Sequence, residues 1–531
     1  MANKYNSKYN DLSESDKDKI LEIVNSKEGT NKERYETAAK YIGTVERNFR
    51  RILKQIKIER GIINPENIED TQEFKTAQSR VVKKSKYYII TWCQNETPIH
   101  KQFFDNIEVY AKFLGAEIIV IAGRYQNPTS VFVEAKNQNW DVRVQKYLCA
   151  NRIDLNDNLQ VLSDVKTQPT AANPLTGFDT ITREQSCILG HPKIHFQSMP
   201  VKEGYNNKIL QTTGACSYEN YTDSKAGKKA EFNHQFGFSI VEIKDKETFY
   251  TRQVIANDNG SFTDLFFHVD NTVKPIENYE SIILGDLHLW EHDQKLIDSK
   301  MHLINMSKTC VFHDVFNGTS ISHHNKDFEK IQYIKEGKNI LSNELNHMYE
   351  WLKSFHNKTK SVKKYIVQSN HDEHLDKYIE NVNWKFDLIN AQIFFELATL
   401  KATQNIRCII KHLIEQNVRN YSYIGLDDIL RIKNYELSLH GHQGSNGARG
   451  SKMQFAKINT KNITGHTHSP FRFDVHIGVG TNTKIPMNYQ KGGMSSSMHA
   501  DAIIHNDGKA QLILFINNRY TTLYRKYKLL L

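Results

Sequence analysis

The 531-residue chain has no apolar run approaching the roughly 20 residues that a membrane-spanning helix requires. The longest, Ile118 to Ala122, has the length of a buried strand. The opening residues MANKYNSKYNDLSESDKDK lack the apolar stretch of a secretory signal, and no lipidation box follows the first Met. A membrane protein is not expected, and a cytoplasmic location is. The six cysteines, Cys93, Cys149, Cys187, Cys216, Cys310 and Cys408, include no C-x-x-C pair, which points away from a disulfide framework and a zinc ribbon and toward reduced, structural thiols. Internal repeats and low-complexity tracts are also missing. What is present suffices for packed cores: 39% of residues are hydrophobic and 11% aromatic, and the length predicts about three domains. Lys and Arg total 70 against 60 Asp and Glu, a net charge of +10 that favours a polyanionic partner. The 23 histidines are an unusual supply of imidazole, and several stand beside Asp, Asn and Gly in the C-terminal half.

Apolar positions three or four apart predict helices in ESDKDKILEIV, ERYETAAKYIG and TVERNFRRILKQIKI, none interrupted by proline. A polar stretch after Gly61 and the basic run of Arg80, Lys83, Lys84 and Lys86 read as a linker, so a helical domain with linker is expected over 1–79. KYYIITW, PIHKQFFDNIEVYAKFLG and AEIIVIAG then predict a βαβ unit with its helix ending at Gly115. Short strands and turns follow, giving an α/β middle domain over 80–275 of unassigned role. NYESIILGDLHLW begins a third domain, 276–531, with a buried strand ending in a Gly-Asp turn. Lys225, Lys228 and Lys229 surround Gly227 without the leading glycine or the trailing Ser/Thr of a P-loop, so a basic loop is expected there. His323 and His324 read as surface residues.

The stretch from Ala39 has what a pair of crossing helices needs. Ala39 permits close contact, Gly43 a left-handed turn, Thr44 a cap, and Phe49 with Ile52 face inward. It resembles the helix-turn-helix family over roughly residues 35–55. Arg47, Asn48, Arg50 and Arg51 would then face outward as DNA-binding residues. From Glu46 to Arg60 six Lys or Arg stand against two Glu, an excess of positive charge suited to phosphates.

Five segments after residue 280 combine carboxylate, amide and imidazole with glycine: GDLH at 285–288, HDVFN at 313–317, SNHD at 369–372, HGH at 440–442 and GHTH at 465–468. Four of them follow apolar runs that read as strands, and in α/β sheets sites collect at the carboxyl ends of strands. Such hard and borderline donors without thiolates suit Mn, Fe, Zn or Mg in an open site, and a pair of divalent ions can stabilise both the attacking and the leaving oxygen of an in-line displacement at phosphorus.

In this order the motifs resemble the calcineurin-like metallophosphoesterase superfamily over about residues 280–485. The resemblance implies an α/β fold whose C-terminal part is a β-sandwich flanked by helices, preceded here by the small all-α domain and the α/β middle domain. It implies two divalent metal ions, with Mn preferred. Asp286, His288 and His468 would hold one, Asn370, His440 and His466 the other, and Asp314 would bridge them. His442 is the alternative to His440. His371 would be a catalytic imidazole that binds no metal, and Asp372 would either orient it or cap a turn. Two positions depart from the family pattern: His313 and Ser369 stand where glycines are usual. With the segments GRYQNPTS, LGHPK and SKAGKKAEF, the chain also resembles a family of phage pre-early proteins that degrade host DNA. The expected function is therefore a metal-dependent deoxyribonuclease with DNA as partner, acting in the host cytoplasm. A homo-oligomer stays open, as do a phosphatase or small-molecule phosphodiesterase and a non-catalytic DNA-binding or DNA-transfer protein.

Overall fold

The computed structural model describes residues 9–26, 31–44, 46–62, 71–125, 139–322, 327–382, 384–487 and 490–531. It is mixed α/β, and its contacts divide the chain into two compact units, residues 1–72 and 73–531. No helix among the described residues is long and apolar enough to cross a membrane.

The first unit contains the three expected helices, Glu14–Asn25, Asn31–Tyr41 and Glu46–Glu59. Ser13 caps the first through a reciprocal bond with Asp16, which satisfies amide groups the helix leaves open. Ala39, Phe49 and Ile52 are buried together with Ile20, Val24, Leu53 and Ile56, as the helix-turn-helix spacing requires. Gly43 takes φ 64° between the second and third helices, a conformation that only glycine adopts without cost. Arg47, Asn48, Arg50 and Arg51 lie in the third helix, but their side chains fall outside the described residues, as do His323, His324 and most of GRYQNPTS.

The second unit begins at Glu73, inside the stretch expected to be linker and ahead of the boundary expected near residue 80. Helix Gln72–Ser79 buries Phe74 and Ala77, and Phe74 stacks on Trp140. Strand Tyr87–Gln94, helix Lys101–Leu114 and strand Ala116–Gly123 form the expected βαβ unit, with Tyr87 paired in parallel to Ala116. These strands belong to a five-stranded sheet. In the C-terminal half, strands Tyr279–Ile283, Ser307–Phe312, Lys363–Val367 and Tyr421–Ile424 run parallel in a six-stranded sheet completed by antiparallel Ala500–Ile504 and Ala510–Leu514. The expected basic loop around Gly227 is instead helix Lys225–Phe232, capped by Ser224.

A ten-stranded sheet is common to both halves. Its strand Phe471–Phe473 pairs with His195–Met199, so residues 80–275 and 276–531, read from the sequence as two domains, share one sheet within one compact unit. The sheet packs on the six-stranded sheet through Phe196, Ile463 and Ile477 against Ile283, Val311, Val367 and Ala502. It packs on the five-stranded sheet through Leu159, Val161 and Ile188 against Ile90, Trp92, Ile119 and Ile121. The far face of the six-stranded sheet, with Ile282, Cys310, Phe312 and Ile366, is covered by helices Leu341–Lys358 and Ile409–Asn417. Burial on both faces explains why these strands read as continuous apolar runs.

A buried polar network joins the halves. Arg252 donates Nε and Nη2 to the two oxygens of Asp264, each at 2.5 Å, while Tyr110 donates to Asp264 at 2.7 Å and Gln511 at 2.9 Å. Burial opposes charge on Asp264, but Arg252 outweighs it and holds the carboxyl below the ordinary aspartate value of 3.8. Replacing it strands a buried guanidinium, so Asp264→Asn should cost about 3–5 kcal/mol at neutral pH, read by urea denaturation. A folded pKa below the unfolded one stabilises above the unfolded value and ceases to do so as pH falls through the folded one. The gap between wild type and variant should therefore close in acid below about pH 4; a gap independent of pH would refute the assignment of the charge.

Candidate metal centre

Each candidate ligand stands just past the carboxyl end of a strand. Asp286 and His288 follow Tyr279–Ile283, Asp314 follows Ser307–Phe312, and Asn370 follows Lys363–Val367, all parallel in one sheet. His440 follows Tyr435–Glu436, and His466 and His468 follow Lys461–Thr464, parallel neighbours in the facing sheet. The pleat and the parallel direction thus bring residues up to 182 positions apart to one end of two packed layers.

There Asp286, His288, Asp314 and His468 offer one donor atom each, all within 4.8 Å of one another and all buried. His468 Nε2 lies 3.1 Å from Asp286 Oδ2 and 3.1 Å from His288 Nε2, which is itself 3.3 Å from Asp314 Oδ2. Both oxygens of Asp286, and Oδ1 of Asp314, are buried without a hydrogen bond. Burying unbonded carboxylate oxygens is costly unless a cation meets them. Two carboxylates and two imidazoles also match the donor chemistry of a divalent cation, so this cluster can bind a metal ion. His288 is pushed down to about 3 by burial, which keeps its ring neutral and its lone pair available.

His440 Nε2 meets the same Asp314 oxygen as His288, 3.2 Å from Oδ2, and lies 3.1 Å from Asn370 Oδ1. His466 packs its ring 5.3 Å from that of His440, edge to face, and burial pushes it down to about 4. Burial would also lower His440, but Asp314 and then Asp286 outweigh it and carry the ring up to about 9. Asp314, against its own burial, is held well below the usual range by His440, His371 and His288. The structure distinguishes the two histidines of HGH. His440 reaches Asp314 and Asn370, whereas His442 Nε2 bonds Glu373 Oε1 at 3.2 Å.

Local backbone is strained where the ligands stand. His288, Asp314, His466 and His468 have φ of 45°, 48°, 73° and 53°, left-handed values that non-glycine residues adopt at a cost. Gly465 is needed for a different reason. A Cβ there would lie 2.2 Å from Asp286 Oδ1 and 2.9 Å from the Cβ of His313. His313, where the resemblance leads one to expect glycine, is wholly buried, with Nδ1 3.5 Å from Nδ1 of His440.

Asn317 has a role that the sequence did not disclose, although it closes the HDVFN segment. Its Oδ1 accepts from His288 Nδ1 at 3.0 Å, its Nδ2 donates to Thr319, and its main-chain carbonyl accepts from His371 Nδ1 at 2.6 Å. Two rings are thereby fixed with Nδ1 protonated and Nε2 turned away from Asn317. His371 sits 4.5 Å, ring to ring, from His288. Of the two readings of Asp372, orienting His371 or capping a turn, its contacts are those of a turn: its Oδ2 accepts from Ser369 N at 2.9 Å and from Tyr423 O–H at 2.7 Å. Ser369 Oγ in turn accepts from Asp372 N at 3.3 Å. The pair closes the SNHD turn, which gives Ser369 a local function. Burial raises Asp372 to about 6.

Asn317→Ala removes the acceptor that sets the His288 tautomer, so metal affinity measured by calorimetry should fall about 10- to 100-fold. Unchanged affinity would show that His288 is oriented by packing alone.

No family model matches the chain and no solved structure matches it. Over 500 aligned residues the chain is 29% identical to Protein A1 of Escherichia phage T5, with 88% of each chain covered. The similarity therefore spans most of the length of both, and a phage protein is a relative of this one.

Proposed function

We propose that this protein is a metal-dependent phosphodiesterase that cleaves DNA. In this reading Asp286, His288 and His468 hold one divalent cation, Asn370, His440 and His466 a second, and Asp314 lies between them. The observation that carries it is the buried quartet of donors within 4.8 Å, with His440 3.2 Å from Asp314 and 3.1 Å from Asn370. Cations there, Mn preferred, would act as Lewis acids on the phosphate oxygens and on the attacking and departing oxygens.

The chain's own residues supply the rest. Asn317 holds His371 by Nδ1, which leaves Nε2 as the second site of the ring, able to give a proton to the leaving oxygen when the ring is doubly protonated. Buried walls exclude bulk water and strengthen each electrostatic contact. DNA as substrate is supported by the positive excess between Glu46 and Arg60, and host DNA as target by the similarity to a phage protein.

Asp314→Ala and His466→Ala should each abolish cleavage of plasmid DNA and reduce bound metal, measured by elemental analysis. Full activity at unchanged metal content would overturn the ligand assignment. His371→Ala should keep its metal while the rate falls by about 10² to 10⁴; loss of a metal ion instead would make His371 a ligand. The phosphomonoesterase alternative is tested with a generic monoester beside linear and supercoiled DNA.

Arg47, Arg50 and Arg51 changed together to Ala should weaken duplex binding and flatten its salt dependence, because each lost phosphate contact removes roughly 0.9 from the log-log slope. An unchanged slope would give the first unit some other task.

A further inference from the structure

Two residues past His288 the chain passes through Trp290, at φ 86°. A bulky aromatic residue in left-handed backbone is costly and persists where its surroundings dictate it. The indole is not spent on the core. With His292, Lys295, His347 and Lys484 it lines an open cleft of about 590 Å³. Two residues of chain reach at most about 7 Å, so the backbone of Trp290 lies within that distance of His288.

The cleft has aromatic walls and a cationic margin. The rings of Trp290 and His347 are 6.1 Å apart and inclined at 40°, and His292 stands 6.1 Å from His347. The wall is braced from below: Trp351 donates Nε1 to Gln294 Oε1 at 2.9 Å, and its ring meets His292 at 5.7 Å. His347 Nε2 and His292 Nδ1 are buried without a hydrogen-bond partner. Asp293 also lines the cleft, and its Oδ1 accepts from the main-chain N–H of Lys295 and Leu296. Lys295 and Lys484 are exposed.

We propose that this cleft is a nucleotide subsite, in which Trp290 stacks on an unpaired base next to the scissile phosphate while Lys484 and Lys295 meet the neighbouring phosphate. Every base has a π face and a flanking phosphate, so an aromatic platform with cations at its margin suits single-stranded nucleic acid whatever its sequence. The assignment rests on the phosphodiesterase reading and refines it: the substrate strand is unpaired beside the cut.

The test uses the full chain kept metal-free with chelator, so that binding is read without cleavage. Fluorescence anisotropy compares a short oligothymidylate with an abasic strand of equal length and charge. Trp290→Ala should weaken binding of the oligothymidylate by about 5- to 150-fold, the range of base stacking, and shift the abasic strand by less than about twofold. Trp290→Phe should retain most of the affinity, and Lys484→Ala should weaken both strands alike. Equal losses on both strands for Trp290→Ala, or no loss on either, would overturn the subsite while leaving the phosphodiesterase reading intact. Wild-type protein that neither binds nor cleaves either strand or duplex would sink that reading and the subsite with it. Should Trp290→Ala not fold, the wild-type preference for the base-bearing over the abasic strand, expected in the same range, carries the test.

Discussion

Two carboxylates buried side by side set the terms for the C-terminal half. Asp286 and Asp314 have no access to solvent, and three of their four oxygens lack a hydrogen bond. Like charges at such range in a low-dielectric interior repel strongly. The surrounding histidines relieve this only in part, since burial keeps His288 and His466 neutral while His440 is driven toward its charged form. The pocket is thus short of positive charge, and its geometry is maintained by the two packed sheets rather than by its own contacts. Strands with both faces buried give the rigidity, and the loops at their carboxyl ends bear the strain.

Much of this was legible in the sequence because the ligands follow apolar runs. A run such as SIIL or KYIV announces a strand, and the polar residue that stops it must stand at the strand's end. The three N-terminal helices and the inward placement of Ala39, Phe49 and Ile52 were legible for a similar reason, since a period of three to four residues carries the whole signal. Asn317 and Asp372 show where local pattern runs out. Which side-chain oxygen meets which imidazole depends on how four loops fold over one another, and no spacing encodes that. The union of residues 80–275 with 276–531 was illegible too, because strands His195–Met199 and Phe471–Phe473 are far apart in sequence and short enough to pass for turns.

Strain and close approach fall on the same few residues. Four candidate ligands occupy left-handed backbone, and Gly465 leaves room only for a hydrogen beside Asp286. Such conformations cost about 1–3 kcal/mol each and survive when packing determines them. Here the determinant is the layer beneath, with Ile283, Val311 and Val367 from one sheet closing on Ile463 and Ile477 from the other.

The ten-stranded sheet constrains how such a chain can change over generations. A strand exchanged alone from either half would leave a neighbour's amide and carbonyl groups open along a sheet interior, where unpaired edges invite aggregation. Recombination between relatives should therefore preserve residues 73–531 as one heritable block, while the helical unit before it is free to be replaced. Insertions and deletions would be tolerated in turns but not across the seam at His195–Met199 and Phe471–Phe473. A lineage with this architecture is expected to diversify by drift within the block.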